Sequence, residues 1–230
     1  LVIALDSSLG MLREAGRRQS WLRPFVRLCA DAERLPLPTG SVDLLVSNCM
    51  LQWSDPDAAF AEFRRVLAPR GLLSFTTLGP DSLRELRAAW AGSVRRGDLE
   101  PEVRVMRFID MHDLGDALVR AGFAAPVLDV ERYTLMYADV RRLAADLRAQ
   151  GARNAATGRP KGLTGPRQFA AMRSAYETFR IDGRLPATYE VVFGQAWAPV
   201  AAAPRSGDND RGDGIQVSLD EFKRRLKVQR

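Results

Sequence analysis

Two aspartates, Asp6 and Asp31, each stand at or just beyond the end of a short apolar run, and acids so placed can hold a nucleoside. Asp6 closes Val2-Ile3-Ala4-Leu5, and Asp31 comes just after Phe25-Val26-Arg27-Leu28-Cys29. In an open α/β sheet a ligand sits beyond the carboxyl ends of the strands, where the first acid takes the ribose hydroxyls. Such bonds are charge-assisted. The spacing from Asp6 to Met11 places an apolar side chain where an adenine face would lie, although a lone Met on a helix reads equally as core. The Asp31 carboxylate suits the exocyclic amine of adenine and the Ala32 amide a ring nitrogen. The bland readings are a helix cap for Asp6 and a turn residue for Asp31. Further on, Asn48 ends the apolar run from Val42 and would lie nearest the reacting centre, unless it serves turn chemistry alone. Trp53, in Met50-Leu51-Gln52-Trp53, either walls that centre against water or packs on the helix that follows.

The elements that must position these residues alternate strand and helix, the doubly wound order. A strand at 42–48 follows the turn Pro38-Thr39-Gly40-Ser41, and Asp55-Pro56-Asp57 opens a helix with apolar residues at helical spacing up to Pro69. Residues 71–78 form the next strand. Helical periodicity runs over 81–94 and, with Asp110 as N-cap and Gly122 as C-cap, over 114–121. A long strand at 126–137, helices at 140–150 and 166–180, and a strand at 188–197 complete the pattern. The helices at 81–94, 140–150 and 166–180 exceed what a minimal doubly wound sheet needs. Segments 80–106 and 138–184 are therefore expected to form a helical lid on a domain spanning 1–199. Residues 200–230 read as a flexible linker and a basic tail.

Composition narrows the function classes. The length and 46% hydrophobic content suit one core with an insertion. No apolar run approaches the ~20 residues of a membrane span, so the reading is a cytoplasmic protein without a membrane contact. Cys29 and Cys49 fit small core residues, and with His112 as the lone histidine no metal site is expected. Net charge is +6, and all but three of the 34 basic residues are arginine. They are dispersed, without a nucleic-acid-binding motif, so no nucleic-acid partner is expected. Arg84, Arg87, Arg95, Arg96, Arg141, Arg142, Arg148 and Arg153 fall in or beside the surplus helices, where they could steer an acidic protein partner.

The strand-end acids resemble the S-adenosylmethionine (SAM) site of class I methyltransferases. Four segments make the resemblance more specific: Ser47-Asn48-Cys49-Met50-Leu51-Gln52-Trp53, Phe75-Thr76-Thr77-Leu78-Gly79-Pro80-Asp81-Ser82-Leu83-Arg84-Glu85-Leu86, Arg107-Phe108-Ile109-Asp110-Met111-His112-Asp113-Leu114 and Leu185-Pro186-Ala187-Thr188-Tyr189-Glu190. Together they are similar to the malonyl-acyl carrier protein O-methyltransferases of biotin synthesis, the BioC type, over about residues 1–199. The resemblance implies a Rossmann-like sheet, SAM as cofactor and methyl transfer to the free carboxylate of a malonyl thioester, carried on acyl-carrier protein or coenzyme A. It places the substrate carboxylate on Arg107 and lines the same pocket with Tyr189 and the Thr77-Leu78-Gly79 turn. A malonyl carboxylate is already ionised at neutral pH, so the reaction asks for approach and dryness rather than an acid–base pair. Two other classes share these features: an enzyme of the mitochondrial complex I assembly type, and a non-catalytic assembly module on a degenerate methyltransferase fold.

One departure stands out. Class I methyltransferases reach the first acid only after a strand and a glycine-rich turn, whereas this chain opens in the acid-bearing strand and contains no Gly-x-Gly-x-Gly. The resemblance therefore implies a functional protein longer than these 230 residues, and two half-sheets in a chain without that strand.

Overall fold

The computed structural model describes residues 1–22, 24–93, 104–151 and 164–200. The tail reading for 200–230 lies outside them beyond Val200, as do Arg95, Arg96 and Arg153. The first unit is β1 (Ile3–Asp6), α1 (Leu9–Arg17) and β2 (Val26–Cys29), with β1 and β2 parallel and Ile3 opposite Val26. Ser8 caps α1, its Oγ accepting from the Met11 N–H at 3.3 Å.

The larger sheet takes β3 (Val42–Asn48), β4 (Leu67–Leu78), β5 (Ala124–Tyr137) and β6 (Leu185–Trp197) in the order β3-β4-β6-β5. β3 and β4 are parallel, while β6 runs antiparallel to both its neighbours. The sheet is thus divided into two pieces. Among the described residues no strand pairs with the second edge of β1 or of β3.

Between β3 and β4 lie a 3-10 turn, Leu51–Trp53, and α2 (Pro56–Val66). Asp55 caps α2 through the Asp57 N–H, and Pro56 at the first position gives up no needed donor. Ala59, Phe60, Phe63 and Val66 are buried at helical spacing. The Phe60 ring stands 5.3 Å from Phe75 on β4 and 6.4 Å from Phe123, and burying such a side chain contributes about 1.5–3 kcal/mol. Gly194 on β6 faces Phe75 across the ladder. A Cβ there would fall 2.1 Å from the ring, so the glycine makes room for the core. Leu114 and Leu118 of α4 (Met111–Arg120) close this layer.

A second core joins α3 (Arg84–Ser93), α5 (Val140–Ala149) and α6 (Pro166–Glu177) to the ends of β5 and β6. Trp90, Tyr137, Leu143, Met172, Tyr176 and Leu185 are buried in it.

The structure corrects two expectations. β4 begins at Leu67 rather than at residue 71, because Leu67 already pairs with Val42 and the ladder then bulges before Leu44. Arg70, at φ 65°, carries the chain through that irregularity. Cys29 and Cys49 are both exposed rather than core residues. They lie at strand ends, and the strand next to Cys49 is itself open: Leu44 and Val46 are 56% and 68% exposed. Parallel strands usually read as apolar because both faces are covered, and on this face of β3 the described residues supply little cover. No described helix is long and apolar enough to cross a membrane.

Candidate functional site

The carboxyl ends of the parallel strands collect the predicted residues into two groups. In the first, Asp6 ends β1 and Asp31 lies two residues past β2, on adjacent strands. Asp6 is not the helix cap; that is Ser8, and Asp6 Oδ1 accepts from the Ser8 N–H at 2.7 Å. Asp31 does take a turn role, Oδ1 accepting from the Glu33 N–H at 3.0 Å. Each carboxylate engages one oxygen in these bonds. Met11 is 60% exposed on the first turn of α1, available to a ligand and not part of the core. The Ala32 N–H makes no bond among the described residues, and its side chain packs with Leu5 against the larger sheet's core. Two carboxylate oxygens, an unused amide donor and an exposed apolar side chain are the chemistry that the adenosine end of SAM requires.

The second group lies on one face of the larger sheet. Asn48 is registered with Thr76, Thr76 with Phe193 and Leu78 with Val191, so Tyr189, two residues from Val191, shares the face of Asn48. Asn48 Oδ1 accepts from the Thr76 hydroxyl. Cys49 then turns the chain at φ 48°, and Gln52 holds the turn by donating to the Cys49 carbonyl at 2.6 Å and accepting from the Thr77 hydroxyl at 3.2 Å. Leu51 is the packing residue of this turn, at 1% exposed, whereas Trp53 is 47% exposed.

Sequence reasoning assigned no role to the carboxylates that fix the next turn. Beyond Leu78 the β4–β6 ladder ends, and residues 79–85 replace it with their own groups. The Gly79 N–H donates to the Glu190 carbonyl at 2.8 Å and the Glu190 N–H to Ser82 Oγ at 3.0 Å. The Leu83 N–H donates to the Thr188 carbonyl, and both the N–H and the hydroxyl of Thr188 donate to the buried Glu85 carboxylate. Glu190 accepts from the Asp81 N–H at 2.7 Å, and Arg132 of β5 bridges Asp81 and Glu190. A Cβ at Gly79 would lie 2.9 Å from the Glu190 side chain, so the turn admits only glycine without a shift. Tyr189 is therefore held on both sides by the turn. Arg87, expected to contribute surface charge, instead donates to the carbonyls of Pro80 and Ser82 and pins the same turn.

Arg107 is exposed on the irregular segment that enters α4. That segment is anchored by Asp110, which accepts from the His112 N–H at 2.8 Å; this bond holds the Asp110 carboxyl below the usual carboxylate range. Burial pushes the Tyr189 and Tyr137 phenols upward.

Comparisons with known proteins bear on the family and the fold. Residues 1–75 match a family model described as a methyltransferase domain. The malonyl-[acyl-carrier protein] O-methyltransferase of Methylovorus sp. is 53% identical over 207 residues, 87% of this chain and 68% of that protein. Its namesake from Laribacter hongkongensis is 50% identical over 91% of this chain and 72% of that protein. Among solved structures, the YcgJ protein from Bacillus subtilis superposes with a TM-score of 0.57 at 14% identity, covering 86% of this chain and 82% of that one, a likeness of fold.

Proposed function

Because the chain belongs to the malonyl-[acyl-carrier protein] O-methyltransferase family, we propose that it transfers the methyl group of SAM to the free carboxylate of a malonyl thioester borne on acyl-carrier protein. The observation that carries this reading is the 53% identity across 87% of the chain. SAM supplies an electrophilic methyl group on a sulfonium that is its own leaving group. What remains for the protein is holding, orienting and drying. Asp6, Met11, Asp31 and Ala32 hold the adenosine end; Asn48 lies toward the reacting centre; Trp53 excludes water from its mouth. Arg107 holds the substrate carboxylate by a forked pair of donors, which suits a guanidinium better than an ammonium. The stitched turn 79–85 keeps Tyr189 on the same face. Both reacting charges vanish as the methyl moves, so a dry cleft favours the step. Incubating the enzyme with SAM and malonyl-carrier protein should yield the methyl ester, seen by mass spectrometry of the carrier. Absence of ester with an active SAM site would overturn the substrate assignment and favour the complex I assembly type of enzyme; absence of SAM binding would favour a non-catalytic module.

We assign α3, α5 and α6 to a lid, and the expected site of action is the cytoplasm. Arg141, Arg142 and Arg148 on α5 are exposed and form no ion pair among the described residues, so their field reaches solvent. Carrier proteins of fatty-acid synthesis are acidic, and complementary charge raises association rate more than final affinity. With a Debye length of about 10 Å at 0.1 M salt, this steering fades as salt rises. The expected result is a steep fall of kcat/KM with salt for malonyl-carrier protein, flattened by reversing Arg141 and Arg142 to Glu. An unchanged slope would leave these arginines as solvated surface.

A further inference from the structure

The lid core contains a polar feature that its packing does not explain. Tyr137, at the end of β5, is 8% exposed, and Tyr189 stands on the same sheet face, four residues along in the register. Both hydroxyl oxygens are buried, and neither reaches a partner with hydrogen-bond geometry. A third tyrosine in this core shows what satisfaction looks like, since the Tyr176 hydroxyl donates to the Pro186 carbonyl at 2.8 Å. Burying a phenol without a partner costs free energy, and natural cores rarely carry two such groups together. An apolar ring would have packed in either place without this penalty.

The two phenols approach each other, and Tyr137 also approaches the Asp146 carboxylate of α5, in contacts that fall short of full hydrogen-bond geometry, while the Asp146 charge acts on both. Its charge disfavours a second anion beside them. A neutral oxygen with two lone pairs is the acceptor that two converging O–H donors would fit. Burial keeps both phenols protonated, and therefore donors, well above neutral pH.

We propose that the hydroxyls of Tyr137 and Tyr189 form a binding site for a carbonyl oxygen, the thioester carbonyl of the acyl substrate. This deepens the reading above and rests on it: the carboxylate goes to Arg107, and the carbonyl two bonds away goes to the tyrosine pair. The site reads the thioester itself, so it selects acyl thioesters over other small carboxylates. Tyr189 is held by its neighbours in the 79–85 turn, and Tyr137 by the lid core, so both donors are placed before substrate arrives.

The test compares malonyl-carrier protein with its carboxyethyl thioether counterpart, in which a CH2 replaces the thioester carbonyl. Wild-type enzyme should prefer the malonyl form by about 10- to 100-fold in kcat/KM. Tyr137→Phe should lose most of that preference through the malonyl substrate alone, with SAM affinity unchanged. Its Tm should rise by about 2–4 °C, because an unsatisfied buried hydroxyl is removed. Tyr189→Phe should behave the same way and serves as the second probe should the first variant fold poorly. A preference retained in both variants would overturn the proposal, as would equal losses on both substrates with a lowered Tm, the mark of a structural role. Wild-type enzyme that methylates neither substrate would overturn the functional reading itself, and that outcome is separate from the others.

Discussion

Alanine at Arg107 should lower kcat/KM for malonyl thioesters by about 2–5 kcal/mol of transition-state binding, while SAM affinity stays nearly intact. The magnitude follows from leaving a carboxylate in a drying cleft without its forked donor. Arg107 sits on the segment whose far end Asp110 fixes by capping α4, so its backbone is placed even though its side chain is exposed. Arg107→Lys separates charge from geometry. Lysine keeps the charge but offers a point donor in place of two parallel N–H groups, so it should recover only part of the loss. Steady-state kinetics with malonyl-carrier protein and calorimetric titration with SAM check both statements. Wild-type turnover in Arg107→Ala would place the carboxylate on another group, Arg132 beside Asp81 and Glu190 being one candidate.

What sequence could read, and what it could not, divides by the range of the interactions. The α2 start was legible because Asp55-Pro56-Asp57 carries its own cap, and the α4 start because Asp110 does the same. Those signals are complete within three residues. The Glu85–Thr188 and Glu190–Asp81 bonds join positions more than 100 residues apart, and no local pattern marks a glutamate as the partner of a distant backbone N–H. Glu190 therefore carries no local mark of its role in the turn. Its signal in the sequence is that it is the one charged residue of Leu185–Trp197. Arg87 misled in the opposite direction: helix position suggests surface charge, but the turn ahead of α3 exposes carbonyls that its guanidinium reaches back to satisfy. Strand type alone does not decide burial, as the exposed Cys29 and Cys49 show. A parallel strand is covered only where helices cover it.

The Asp6 prediction draws on the same distinction between a carboxylate that folds the chain and one that binds. Asp6 Oδ1 accepts the Ser8 N–H at 2.7 Å, and the proposed function assigns the ribose to the carboxylate's remaining acceptor capacity. Asp6→Asn keeps a carbonyl oxygen for Ser8 but removes the negative charge and puts a donor where an acceptor stood. Hydrogen bonds to a charged group contribute about 1.5–3 kcal/mol, so SAM affinity should fall roughly 10- to 100-fold. The start of α1 should survive, since Ser8 still caps the helix and still finds its acceptor. Asp6→Ala removes both functions and should lower Tm as well as affinity. Calorimetric titration with SAM and with S-adenosylhomocysteine, set beside thermal denaturation of each variant, reads the two effects separately. If Asp6→Asn binds SAM as tightly as the parent while Asp6→Ala loses stability, the carboxylate serves only the entry to α1, and the ribose must be held by another residue.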